Sequence, residues 1–355
     1  MAHEQQILAA AGARIAQRTQ EDRAHLQAAI ESHKAGRLAS AEVGYRRVLR
    51  QRPGDPDALL LLGALSWRRG DSATTERLMR EALRADPEYD VAYGSLALLL
   101  GKQGRLADAA EVYRAWYTSD PENYLAKHML AATSSVDVPA RAAPEYVRHM
   151  FDLLASDFDR HLSELGYRGP ALVADRLRAR HAADFRPDIL DAGCGTGLAG
   201  PLLRPFANRI VGVDLSPGMI EKARARGTYD ELVVHDISEF MRSRSNAFDA
   251  VICVDTFIYF GAIDEPLRTA RACLRTDGLI AFTTECLDDV APYRLEAHGR
   301  YSHSQSYILQ TASQAGFAVI SVETVALRCE DGKDVLGYLV LGQALPCAQS
   351  VSLRA

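Results

Sequence analysis

The chain has 355 residues, 48% of them hydrophobic and 25% charged, with a formal net charge of −5. That length accommodates two domains, each with its own core, and the negative balance excludes an overall basic surface, so neither nucleic acid nor a membrane is an expected partner. The six cysteines, Cys194, Cys253, Cys273, Cys286, Cys329 and Cys347, show no Cys-x-x-Cys spacing and no zinc-type grouping. No run approaches the roughly 18 apolar residues of a membrane helix, and the start, Met1-Ala2-His3-Glu4, lacks the basic end of a signal peptide. The expected setting is the cytoplasm, without a bound metal.

An N-terminal helix is expected over 1–19. Beyond it, Gly36, Gly70 and Gly104 recur every 34 residues, as do Pro53, Pro87 and Pro121. Leu62, Leu96 and Leu130 keep the same spacing, as do Ala41, Thr75 and Ala109, and Tyr45, Met79 and Tyr113. Each glycine stands between two apolar-periodic segments and each proline follows the second, which predicts helix pairs over 20–53, 54–87 and 88–121 and a capping helix over 122–132. The pattern resembles tetratricopeptide repeats, an α-solenoid whose stacked pairs share one core and leave a concave inner face. That resemblance implies a surface for a protein or peptide partner. The alternative roles are to join two copies of the chain as a homodimer or to wall a pocket.

Residues 133–144 hold Pro139 and Pro144 and no apolar period, the composition of a linker. Phe151 and Phe158 follow, seven apart on one helical face. The run Ile189-Leu190-Asp191-Ala192-Gly193-Cys194-Gly195-Thr196-Gly197-Leu198 then joins an apolar strand to an acid and three alternating glycines. Glycines permit a sharp strand-to-helix turn and close approach of a ligand to the main chain. The overlapping Gly195-Thr196-Gly197-Leu198-Ala199-Gly200 also fits the dinucleotide pattern, so context has to decide. Arg209–Asp214 reads as a second strand ending in an acid, and Glu231–Asp236 as a third. Ala318–Val325 and Val335–Leu341, joined through Asp331-Gly332, predict a C-terminal antiparallel hairpin, which a plain doubly wound dehydrogenase lacks.

With these residues the segment from about 145 to 345 resembles the class I S-adenosylmethionine-dependent methyltransferases, whose first motif is close to Asp191-Ala192-Gly193-Cys194-Gly195-Thr196-Gly197. The whole layout resembles bacterial fusions of tetratricopeptide repeats with such a domain. The resemblance implies a helical lid over 145–180, an α/β Rossmann-like seven-stranded domain over 181–345 and a tail over 346–355. The implied cofactor is S-adenosylmethionine, leaving as S-adenosylhomocysteine. By position Asp214 would hold the ribose and Asp236 the adenine, with Asp191, Gly193, Gly195, Gly197, Leu215, Met219, Ile237 and Cys253 completing the cofactor set. Phe158 and Tyr167 of the lid would pack over its methionine part, plain core packing being the alternative. For Asp214 and Asp236 the alternative is a helix N-cap.

Acceptor residues belong at the ends of strands four and five. Phe248–Val254 leads into Asp255-Thr256-Phe257-Ile258-Tyr259-Phe260, and Leu279–Thr284 into Glu285 and a long loop, Pro292–Ser304, that contains His298 and His303. A histidine with a pKa near 6.5 suits proton removal near neutrality, so His303 is the expected catalytic base, with Tyr259 and Tyr301 in the same pocket. A surface or capping role is the alternative. The expected reaction is methyl transfer to an oxygen or nitrogen of a small metabolite, free or borne on a peptide or carrier. Two other readings are a protein or peptide methyltransferase whose substrate docks on the repeats, and a scaffold that binds S-adenosylmethionine without turnover.

Overall fold

Residues 2–16, 20–180, 182 and 184–346 are described by a computed structural model, in which the chain divides into two units, Met1–Val136 and Asp137–Ala355. Of the expected tail over 346–355 only residue 346 falls within the described residues, and Cys347 lies outside them.

In the first unit α1 (Ala2–Ile15) precedes three helix pairs: α2 (Gln20–Lys34) with α3 (Leu38–Gln51), α4 (Pro56–Arg68) with α5 (Ser72–Ala85), and α6 (Asp90–Lys102) with α7 (Leu106–Ser119). A last helix, α8 (Tyr124–Ser134), follows them. The periodic glycines close the turns within the pairs: Gly36, Gly70 and Gly104 have φ of +74°, +77° and +74°, the left-handed conformation that ends a helix where a Cβ would be strained. Asp71 caps α5 by accepting the Thr74 N–H at 3.0 Å, and Asn123 caps α8 by accepting that of Ala126 at 2.9 Å. Positions that share the 34-residue period share burial, Ala41, Thr75 and Ala109 as well as Tyr45, Met79 and Tyr113. The period thus marks one continuous core.

α1 packs on α2, α4 and α6, the first helix of each pair. Its Ile7, Leu8, Ala11 and Ile15 are buried, a stripe at three- and four-residue intervals. Glu4 pairs with His33 at 2.8 Å, and Arg14 with Asp57 at 3.0 Å and with Asp86. His3 meets the Ser95 hydroxyl at 2.9 Å. The face built by the first helices is therefore covered by the chain's own helix, where the sequence pattern had left it open for a partner.

The second unit opens with α9 (Pro144–Leu154), α10 (Phe158–Glu164) and α11 (Gly169–Arg178), and continues through β1 (Asp188–Ala192), α12 (Gly200–Leu203), β2 (Arg209–Asp214), α13 (Pro217–Ala225), β3 (Glu231–Val234), α14 (Ile237–Arg242), β4 (Phe248–Cys253), α15 (Asp264–Cys273) and β5 (Leu274–Cys286). Two short strands, β6 (Tyr293–Leu295) and β7 (Tyr301–His303), then precede α16 (Gln305–Gln314), β8 (Phe317–Glu330) and β9 (Lys333–Ala344). β3-β2-β1-β4-β5 are parallel; β9 runs antiparallel to β5 and to β8. Strands buried on both faces read as continuous apolar runs, and Ile189, Leu190, Ile210, Val211, Val251 and Ile252 are all buried. The β8–β9 hairpin turns at Asp331 and Gly332, with φ of +48° and +75°, the two positive values that an Asp-Gly turn supplies.

Among the described residues nine strands stand where seven were expected. The two additional ones come from the long loop after β5: β7 runs parallel to the end of β5, pairing Glu285 with Ser302 and Cys286 with His303, and β6 runs antiparallel to β7. Three-residue strands carry no readable period. Their pairing depends on the β5 edge, a long-range contact invisible in the sequence.

Candidate active site

The tips of β1, β2, β3 and β4 open on one cavity of about 270 Å³. This is the crevice beyond the carboxyl ends of parallel strands, where open α/β sheets bind ligands. The turn after β1 is pinned to β2, because the N–H groups of Gly193 and Cys194 both donate to the Val213 carbonyl, at 2.8 and 3.0 Å. Gly193 has φ +85°, and a Cβ there would stand 2.2 Å from Thr256 Oγ1. Gly195 has φ +53° and nothing within 4 Å of its Cβ position, so its bare backbone faces the cavity that it lines. Gly197, by contrast, is closed off by packing, with Tyr229 at 2.9 Å and Ala223 at 3.1 Å from a Cβ there.

The three strand-end acids differ in role. Asp191 is buried and accepts the Tyr229 hydroxyl at 2.6 Å; burial, with Asp214 nearby, pushes its carboxyl up to about 7. Asp214 accepts the Gly195 N–H and the Ser216 N–H, each at 2.9 Å, while Ser216 is the cap of α13. Asp214 is therefore not the helix cap, and burial raises its carboxyl too. Asp236 does cap α14, accepting Ser238 N–H at 3.0 Å and Glu239 N–H at 3.2 Å, and its other oxygen pairs with Arg141 at 2.6 Å. It nonetheless lines the cavity.

The helices before β1 roof this space. Asp152 accepts the Gly218 N–H at 3.1 Å and the Ser216 hydroxyl, and Asp159 binds Thr196 and Arg226, so α9 and α10 are each tied to the cofactor-side turns. Phe151 meets Phe158 and Tyr259 edge-on, with centroids 5.6 and 5.5 Å apart. Phe158, Tyr167 and Tyr259 line the cavity with Leu215 and Ile237.

Five expected site residues lie elsewhere. Met219 and Cys253 are fully buried in the core, and Gly197 serves close packing. Tyr301 is fully buried and its hydroxyl donates to the Pro139 carbonyl at 2.8 Å. His303 is wholly buried on β7, donates through Nε2 to the Gly261 carbonyl at 3.1 Å and stacks on Tyr307. Burial pushes its imidazole down to about 4, so it is neutral at pH 7. Pairing of β7 with β5 turns His303 inward, and neither it nor Tyr301 lines the cavity.

The charges on the β4–β5 side were not expected from the sequence. Asp255, Arg300, Arg328 and Glu330 line the cavity. Arg328 is buried and bonds to Asp255 at 3.0 Å, Glu330 at 2.6 Å and Glu285. Arg300 bonds to Glu285 at 2.7 Å and Glu330 at 3.0 Å. A lone arginine inside the apolar run Val325-Ala326-Leu327-Arg328 was the available signal, since a charge in a strand is retained only where partners meet it.

A parallel sheet with an antiparallel terminal hairpin, a glycine turn after β1 and acids at three successive strand ends define a class I S-adenosylmethionine-dependent methyltransferase domain. Residues 190–282 match the family model of a methyltransferase domain, and residues 26–89 and 67–124 that of a tetratricopeptide repeat; the chain joins the two. It is similar to human methyltransferase-like protein 27, at 40% identity over 30% of this chain and 44% of the relative. It is also similar to the malonyl-[acyl-carrier protein] O-methyltransferase of Priestia megaterium, at 33% identity over 40% of this chain and 52% of the relative. The chain thus spans about half the length, or less, of these curated relatives. Among solved structures, the [4+2]-cyclase SpnF superposes with a TM-score of 0.48 at 18% identity, over 58% of this chain and 98% of that one.

The cavity fits the cofactor of this class. Gly195 offers an open backbone cradle, and Asp214 supplies a carboxylate beside it for hydroxyl donors. Among the described residues no helix is long and apolar enough to cross a membrane.

Proposed function

We propose that this chain transfers the methyl group of S-adenosylmethionine to an oxygen or nitrogen of a small acceptor held under α9, α10 and α11. When bound, the cofactor supplies an electrophilic methyl carbon on a sulfonium sulfur. Asp214 accepts the ribose hydroxyls and Asp236 the adenine amino group, the latter sharing its carboxylate with the α14 cap. The backbone at Gly193 and Gly195, together with Asp191, would hold the methionine part. Phe158, Tyr167 and Tyr259 exclude water and fix the angle of approach, so positioning carries much of the rate.

The observation that supports this reading most is the convergence of Gly195, Asp214 and Asp236 on one roofed cavity whose opposite side is lined by Tyr259 and Asp255. A volume near the lower end of about 300–1,000 Å³ for ligand pockets favours a metabolite over a folded protein. The likeness to a malonyl-[acyl-carrier protein] O-methyltransferase supports a second reading, an acceptor borne on a carrier. For the repeats, protein contact is the proposed role, with the α2–α4–α6 face already taken by α1. The five described cysteines are all free, which fits the reducing cytoplasm. The test is formation of S-adenosylhomocysteine by the full chain on a panel of free small amines, alcohols and acids and on the same groups carried by an acyl carrier protein. Turnover only on the carrier would favour the second reading, and turnover on neither would remove both.

A further inference from the structure

Asp255 follows β4 and lines the cavity on the side opposite Asp236 in the strand order. Its backbone is left-handed, φ +52°, a conformation that few side chains other than Asn and Asp adopt. Such strain collects at functional sites. The carboxylate is clamped from three sides: the Thr283 hydroxyl of β5 donates to Oδ1 at 2.8 Å, Arg328 of β8 approaches Oδ2 at 3.0 Å, and the Tyr167 hydroxyl, between α10 and α11, also bonds to it.

The charges around it come from every neighbouring element. Glu285 is the penultimate residue of β5, Arg328 and Glu330 stand on β8, and Arg300 precedes β7, while His298 meets Glu285 at 3.5 Å. Burial lowers the pKa of His298 and so favours its neutral form. Two guanidinium groups therefore face three carboxylates. Arg328 directs Nε, Nη1 and Nη2 each to a carboxylate, and Arg300 is engaged by Glu285 and Glu330. An acceptor presenting a carboxylate would add a fourth anion to arginines already matched. An acceptor presenting an ammonium group would instead complete the balance, and buried charge is tolerated when so paired.

Resting on the methyltransferase reading above, we infer that the acceptor is a protonatable amine and that Asp255 is the group that binds its ammonium form and accepts its proton. The proton passes from nitrogen to the Asp255 carboxylate. The freed lone pair forms the new C–N bond as the C–S bond breaks, its electron pair stays on sulfur, and the products are a methylated ammonium and neutral S-adenosylhomocysteine. Burial raises the proton affinity of Asp255 against the pull of Arg328, as a general base requires.

The test uses the full chain saturated with S-adenosylhomocysteine and titrated calorimetrically with benzylamine and with benzoate, one ring carrying opposite charges. Benzylamine should bind at least about tenfold more tightly. Asp255→Asn, which keeps the left-handed preference, should weaken benzylamine about 10- to 100-fold, as expected for losing a hydrogen bond to a charged group, and leave S-adenosylhomocysteine affinity within about twofold. Tighter binding of benzoate, no binding of benzylamine, or no effect of Asp255→Asn overturns the inference. Failure of S-adenosylhomocysteine itself to bind overturns the methyltransferase reading and this inference with it.

Discussion

The two units treat their concave surfaces in opposite ways. In the repeat unit the face of α2, α4 and α6 is filled by α1, which buries Ile7, Leu8, Ala11 and Ile15 there and pairs Arg14 with the buried Asp57. In the methyltransferase unit the space beyond the strand tips stays open although buried acids and arginines surround it. Burying charge around a void is unfavourable unless every group is matched. The contrast therefore marks the first surface as closed for stability and the second as kept open for a ligand.

The largest expected effect breaks the charged side of that contrast. Arg328→Ala leaves Asp255, Glu285 and Glu330 without their shared partner and should destabilise the chain by about 3–5 kcal/mol. Arg77→Ala, at the exposed pair with Glu81 on α5, should change it by no more than about 1 kcal/mol. Urea unfolding of the two variants makes the comparison, and equal losses would show the cavity charges to be no more critical than a surface pair.

A second effect concerns pH. His303 is held down to about 4 by burial, against about 6.5 in an unfolded chain. The unfolded state takes up the proton first, so the stability from the neutral folded imidazole is complete above about pH 6.5 and lost as pH falls toward 4. The total is on the order of 3 kcal/mol. Urea unfolding at several pH values should show a steeper acid slope for the native chain than for His303→Asn. Parallel slopes would mean that His303 takes up its proton as readily in the folded chain as in the unfolded one.

A smaller effect sharpens the other side. Leu8→Ala in α1 should lower the stability of the repeat unit by about 2–3 kcal/mol, the low end for a buried leucine, and leave cofactor affinity unchanged, since the cavity is lined by residues from Arg141 onward. Two unfolding transitions followed by circular dichroism, with only one shifted, would report this.

What the sequence revealed follows from range. The glycines at 36, 70 and 104, the Asp191–Gly197 turn and the Asp331-Gly332 hairpin are local signals, because each demands its backbone conformation of specific residues. Asp214 was legible for the same reason, standing at the end of an apolar strand a fixed distance past the glycines. The Arg328 network was not, because its members lie on β5, β8 and two loops and meet only once the sheet has formed. His303 was misplaced because a long loop reads as exposed, whereas pairing of β7 to β5 turns it into the core. The position of α1 was equally hidden, since its stripe of Ile7, Leu8, Ala11 and Ile15 shows that it packs but not against what.

Whether the cavity holds S-adenosylmethionine through Asp214 is decided by calorimetric titration of the full chain and of Asp214→Ala with S-adenosylmethionine. Saturable binding is expected with one site per chain, weakened by about 1.5–3 kcal/mol in the variant, the range for hydrogen bonds to a charged group. No binding by the native chain, or equal affinity in a folded Asp214→Ala variant, would contradict it.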